Sequence, residues 1–180
     1  MEFRANKMTL KIATWNINSV RLRMPLVLKL LKKEAPDILC LQECKSLVED
    51  IPVEELKNIG FCHIVARGQK SYNGVAIISK IPIKDTGSIN YANLDQARHI
   101  SATLENGITI HNHYIPAGGD IPDRKVNEKF GQKLDYLDHL MNSFKKKKPV
   151  KSILVGDLNI APHEDDVWSH KQLIKVVSHT

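Results

Sequence analysis

Five side chains that bear oxygen donors stand where strand-like runs end: Asn16, Glu43, Tyr114, Asp157 and Asn159. Strands of a layered fold share an edge, so residues at their ends can converge over it. The convergent set is two carboxylates, two carboxamides and a phenol. These hard donors suit Mg²⁺ or Mn²⁺ and do not suit zinc or copper. Mg²⁺ takes one or two protein carboxylates and fills its other positions with water and phosphate oxygens. A metal held this way cancels charge on a scissile phosphate while a carboxylate activates water, which is what phosphodiester cleavage needs. Each residue also has a plain reading. Asn and Asp at strand ends form turns, Glu43 serves as a surface acid, and Tyr114 is a half-buried ring with a wet hydroxyl. Glu43 and Asp157 stand apart because each directly follows a near-fully apolar run.

Other groups offer less. His111 and His113 alternate, so they share one face of a strand, as a metal pair would. Zinc sites use three or four ligands and no third stands out, so a solvated or core-satisfied pair is the simpler expectation. Gly118-Gly119 after Pro116 reads as a loop device, with close approach to a phosphate as the other option. Cys40, Cys44 and Cys62 are sparse, odd in number and lack a CxxC pair, which argues against a disulfide framework or a thiolate zinc site. There is no GxSxG, P-loop or GxGxxG motif. The run Lys145–Lys148 reads as the solvated last turn of a helix, where cations suit the dipole, ahead of a dedicated phosphate contact.

The elements that must position these groups follow from local pattern. Leu10 to Trp15 reads as a strand. A helix follows with Pro25 in its first turn and Leu26, Val27, Leu30 and Leu31 on one face. Ile38 to Leu41 has the continuous apolar character of a strand covered on both faces. Val53 to Ile59 is a short helix closed by Gly60. Cys62 to Ala66 and Val75 to Ser79 form a strand pair. Ile100 to Leu104 and Ile108 to Tyr114 flank Glu105-Asn106-Gly107, whose Asn-Gly suits a type I′ turn. A helix from about Asp123 to Lys147 carries Phe130, Leu134, Leu137, Leu140, Met141 and Phe144 as a core stripe. Ile153 to Val155 is a buried strand, and Val167 to Val177 is weakly helical. Alternating strands and helices predict a layered α/β architecture.

The 180 residues suit one domain, and 42% hydrophobic with 26% charged residues exclude a disordered or fibrous chain. No apolar run approaches the roughly 20 residues that span a bilayer, and the N-terminus lacks the apolar stretch of a secretory signal, so a cytoplasmic protein with no membrane partner is expected. The net charge of +6 favours polyanions such as nucleic acid.

Five ordered segments carry a resemblance. They are Thr14-Trp15-Asn16-Ile17-Asn18-Ser19-Val20-Arg21, Asp37-Ile38-Leu39-Cys40-Leu41-Gln42-Glu43-Cys44-Lys45, Tyr72-Asn73-Gly74-Val75-Ala76-Ile77, Asn112-His113-Tyr114-Ile115-Pro116-Ala117-Gly118 and Gly156-Asp157-Leu158-Asn159-Ile160-Ala161-Pro162. In order, they resemble the motifs of the bacterial exodeoxyribonuclease III family of abasic-site endonucleases, within the endonuclease/exonuclease/phosphatase superfamily. The resemblance implies an α+β fold, a four-layer α/β/β/α sandwich like deoxyribonuclease I, incomplete at the C-terminus. It implies one such domain over residues 8–180, with 1–7 as an extension and Met8 as the natural initiator.

The resemblance also implies Mg²⁺-dependent hydrolysis of double-stranded DNA (Mn²⁺ being the other option), 5′ to abasic sites and from 3′ ends, by a monomer. Glu43 is then the principal metal ligand, assisted by Asn16, with Asp157 and Asn159 in the same metal set. Asp157 orients or deprotonates the attacking water, Asn159 holds Asp157 or the phosphate, and Tyr114 hydrogen-bonds a phosphate oxygen. Arg98 or Lys45 touches the DNA backbone. The family continues past Thr180 with a further acidic residue and a terminal Ser-Asp-His motif. Ser178-His179 lacks the Asp, so the catalytic histidine is not carried onto His179. Two competing expectations follow: a truncated, impaired fragment that at most binds DNA weakly, and a superfamily member acting on phosphoinositides or sphingomyelin.

Overall fold

The computed structural model describes residues 9–179, so the expected extension 1–7 and Met8 lie outside the described residues. Eight strands, β1 (Ile12–Asn16), β2 (Ile38–Gln42), β3 (His63–Arg67), β4 (Val75–Ser79), β5 (Ile83–Gly87), β6 (His99–Leu104), β7 (Thr109–Tyr114) and β8 (Ser152–Asp157), alternate with α1 (Val20–Glu34), α2 (Val53–Lys57), α3 (Glu128–Lys146) and α4 (His170–Leu173). The strands make two four-stranded sheets, ordered β1-β2-β4-β3 and β5-β6-β7-β8. β1 runs parallel to β2 and β7 parallel to β8, while the remaining pairs are antiparallel.

Three apolar clusters separate four layers. Val20, Met24, Val27 and Leu31 of α1 pack on Leu39, Leu41, Ala76 and Ile78 of the first sheet. The opposite face of that sheet, with Ile38, Cys40, Val75 and Ile77, meets Ile100, Ala102, Leu104 and Ile110 of the second. Tyr136 and Leu140 of α3 close the outer face of the second sheet with Tyr91 and Ile115. The order helix, sheet, sheet, helix is the one that the resemblance implies. β2 is buried along its whole length because it has covered faces on both sides, as its unbroken apolar run predicts.

Local expectations fail where tertiary bonds intervene. Pro25 is the sixth residue of α1, not a first-turn residue. The helix starts early because Ser19 N–H and Val20 N–H donate to the carbonyls of Glu43 and Cys44, at 2.7 and 3.0 Å. Leu26 is exposed, and the stripe that faces the sheet is Val20, Met24, Val27 and Leu31. α3 begins at Glu128, where the Asn127 side chain caps it, and Met141 lies on its exposed side. In the β6–β7 turn only Gly107 has positive φ, so the connection is a type I turn followed by a left-handed glycine and not type I′. β8 is an edge strand with Leu154 partly exposed, so it is covered less than its apolar run predicts. β5 escapes sequence reading because its residues after Ile83 are exposed and carry no apolar alternation.

Candidate active site

The parallel pairs β1–β2 and β7–β8 end at one edge of the sandwich. Their register matches Asn16 with Gln42 and Tyr114 with Asp157. The Asn16 Nδ2 amide donates to Glu43 Oε1 at 2.8 Å and to Asp157 Oδ2 at 2.7 Å. The Tyr114 hydroxyl donates to Glu43 Oε1 at 2.9 Å. The Asn159 backbone N–H donates to Asp157 Oδ1 at 3.2 Å, and its side-chain amide donates to the Ile115 carbonyl at 2.9 Å. All five residues singled out from the sequence thus meet, although they come from both sheets.

Backbone devices aim them. Glu43 and Asn159 both have left-handed φ, near 50°, so the chain turns abruptly where each strand ends. The loop bearing Glu43 is tied to Asn73 and Gly74 by Lys45 N–H and Cys44 N–H, at 2.8 and 3.0 Å. Gly156 precedes Asp157 because a Cβ there would sit 1.9 Å from the His113 carbonyl oxygen. Beneath the site, buried Gln42 and Asn112 clasp the sheets together. Gln42 Nε2 donates to Asn112 Oδ1 at 2.7 Å, and Asn112 Nδ2 donates to the Leu41 and Ala76 carbonyls, both at 2.9 Å. Asn112 sits between two histidines in a largely polar strand, so nothing in the local sequence marks it as the clasp.

The electrostatics follow from those contacts. Burial raises the Glu43 pKa, but the hydrogen bonds from Asn16, Lys45 and Tyr114 outweigh it, and the net shift is downward. Lys45 Nζ stands 2.9 Å from Glu43 Oε2 and donates to Asn18 Oδ1 at 2.6 Å. Burial, and then the bond to Glu43, push the Tyr114 phenol up to about 12, so it stays a donor. The Arg98 guanidinium lies over the Tyr114 ring, 4.7 Å from its centroid, and bonds the Tyr114 carbonyl and the Gln96 side chain.

Further from the carboxylates, buried Lys133 spans three loops. Its ammonium donates to the carbonyls of Asn159 and Val177, both at 2.6 Å, and more weakly to Ala117 at 3.4 Å. Nothing in its local sequence marks it, since it sits at a helix position like its solvated neighbours. Gly118 and Gly119 have positive φ and Asn127 bonds the Gly118 carbonyl, so this pair is the loop device expected. The side chains of Lys145 to Lys148 are exposed at the end of α3, in keeping with a solvated last turn. His179 packs against His170 and the Ala161 carbonyl, away from the carboxylates. The histidine pair is core-satisfied, one of the two expectations, but a third ring that did not stand out in the sequence joins it. His113 is fully buried and His111 half-buried, and buried His99 on β6 joins them as a third ring.

A family model described as the Endonuclease/Exonuclease/phosphatase family matches residues 13–175. The chain belongs to this family. Exodeoxyribonuclease III of Haemophilus influenzae is 32% identical over 167 residues, covering 88% of this chain and 60% of that protein. An exodeoxyribonuclease of Bacillus subtilis is 31% identical over 172 residues, covering 90% and 63%. The chain therefore spans less than two thirds of the length of these curated relatives. An AP endonuclease structure from Archaeoglobus fulgidus superposes with a TM-score of 0.86 at 36% identity, covering 96% of this chain and 66% of that one. A 3′ phosphatase from Neisseria, bound to a product DNA hairpin, gives 0.83 at 34% identity, covering 94% and 65%. These likenesses agree with the deoxyribonuclease I-like sandwich. Among the described residues, no helix is long and apolar enough to cross a membrane.

Proposed function

We propose that this family member hydrolyses DNA phosphodiesters in base-excision repair, with Mg²⁺, at abasic sites in duplex DNA and at blocked or unblocked 3′ ends. The observation that carries this reading is the Asn16 amide bridging Glu43 and Asp157, which gathers two carboxylates from separate sheets within the reach of one small cation. The donor set fits a hard divalent ion, and the Lys45 ammonium on Glu43 already marks the place as one that attracts positive charge. Glu43 is its principal ligand, with Asp157, Asn16 and Asn159 completing the protein's share. Mn²⁺ suits the same donors. The ion supplies charge neutralisation at the scissile phosphate.

The chain's own residues do the rest. Asp157 accepts the proton of the attacking water, held in place by Asn16 and the Asn159 backbone N–H. Tyr114, protonated throughout, turns its hydroxyl from Glu43 to a phosphate oxygen. Asn159 commits its amide nitrogen to Ile115 and presents its oxygen. Lys45, paired with Glu43, and Arg98, over the Tyr114 ring, receive the DNA backbone. The AP endonuclease and the DNA-bound 3′ phosphatase support DNA as the substrate class.

The test is incision of a duplex with one abasic site, with and without Mg²⁺. Cutting that needs the metal and falls about 10²-fold or more in Glu43→Gln supports the reading. Cutting unchanged by that substitution, or cleavage confined to phosphoinositides or sphingomyelin in a substrate panel, overturns it. Salt-sensitive DNA binding with no turnover would leave the impaired-fragment reading instead.

A further inference from the structure

The geometry points to a second metal site, built from His99, His111 and His113 and suited to Zn²⁺. His99 lies on β6 and the other two on β7. The register pairs His99 with His113 and Ser101 with His111, so all three rings share the face of the second sheet that is turned toward α3. Asn112 and Tyr114 alternate to the other face, so the sheet itself separates the imidazoles from the carboxylates. One ring nitrogen from each histidine lies within 4.8 Å of the others. His99 Nε2 and His111 Nδ1 are 3.2 Å apart. Zinc–nitrogen bonds of about 2.0–2.1 Å in a tetrahedron place ligand nitrogens about 3.3 Å apart, so this pair already has the spacing of two zinc ligands.

His113 supplies the strongest sign. Its Nδ1 meets the Tyr136 hydroxyl at 3.1 Å, and that hydroxyl points its own hydrogen toward the Arg98 carbonyl at 3.5 Å. With Nδ1 donating to that hydroxyl, Nε2 presents its lone pair. Nε2 is fully buried and has no hydrogen-bond partner among the described residues. A hydrogen bond to the far ring nitrogen is the usual way in which a protein orients a ligating imidazole. Burial also keeps the rings neutral, the form that binds metal: His99 is pushed down to about 2, His113 to about 3, and His111 downward. Three imidazoles without an oxygen donor suit zinc, not magnesium.

A cavity gives access to the rings on the His111 side. His111 lines a cavity of about 400 Å³ together with Tyr91, Phe144, Lys147 and Lys148. An ion enters from that side and keeps a fourth position for water. Loading has one structural consequence. The Ile89 N–H donates to His99 Nδ1 at 3.0 Å, so the metal-free His99 carries its proton on Nε2, toward His111. Zinc replaces that hydrogen bond with two metal bonds, the His99 proton moves to Nδ1, and the Ile89 amide swings away.

The test uses the full chain, stripped by a chelator and titrated with Co²⁺ as a visible probe and then with Zn²⁺. One Co²⁺ per chain should give tetrahedral absorption bands that Zn²⁺ abolishes. The bands should persist in Glu43→Gln and disappear in His111→Ala, with Zn²⁺ affinity falling at least tenfold in the latter. His111 is half-buried at the cavity wall, so its truncation spares the fold, which circular dichroism checks. The Ile89 amide resonance should shift with Zn²⁺ in the unsubstituted chain and in Glu43→Gln, and not in His111→Ala. Bands that survive His111→Ala, bands lost in Glu43→Gln, or no bands at all overturn the assignment.

Discussion

Asn16 Nδ2 lies 2.7 Å from Asp157 Oδ2, joining the end of β1 to the end of β8 across 141 positions of sequence. The same nitrogen reaches Glu43 at 2.8 Å, so one amide holds together two carboxylates that would otherwise repel each other. Asn16→Ala removes that bridge. Turnover on an abasic duplex should fall about 10²- to 10³-fold with the fold intact by circular dichroism. Asn16→Asp, which adds a third carboxylate, should be no better.

Glu43 and Lys45 set a pH dependence. The folded pKa of Glu43 is depressed, so folding favours its charged form. The stability this contributes is full above the ordinary value near 4.5 and is lost as pH falls through the lower folded value. Lys45→Met removes a hydrogen bond and a positive charge. The Glu43 carboxyl should then titrate at higher pH, read by NMR, and acid unfolding should begin at higher pH as well.

Asn112 is buried with three hydrogen bonds that run between the sheets. Asn112→Leu takes this partner from the Leu41 and Ala76 carbonyls, while the Gln42 amide keeps Thr14 and Cys40. Each buried group left unsatisfied costs about 1–3 kcal/mol, so the urea midpoint should drop well beyond the effect of a surface substitution.

Gly156 stands against the His113 carbonyl with room for no side chain. Gly156→Ala must push β7 and β8 apart or rotate the chain out of φ 139°. The loss of stability should reach about 3 kcal/mol or more, at the upper end for single substitutions. Asp157 is the next residue, so metal affinity at the carboxylates should weaken in any fraction that still folds, measurable by Mn²⁺ binding.

Much of this protein was written in local pattern. Apolar runs such as Ile38–Leu41 and Val75–Ser79 became strands because short continuous apolar character and flanking turn residues act over a few positions. The five polar residues at strand ends were visible as types, and their ordered motifs carried the family. Tertiary structure decided what depends on partners far away in sequence. It started α1 ahead of Pro25 through bonds to the Glu43 loop, and it turned Leu26 outward. It brought His99 to His111 and His113, which the sequence showed only as a pair. It buried Lys133 against carbonyls as many as 44 positions away. The physical reason is common to all of these. Periodicity records which face of an element is apolar, whereas a hydrogen bond or a shared ligand requires two distant segments in one register, and only the packed sheets set that register.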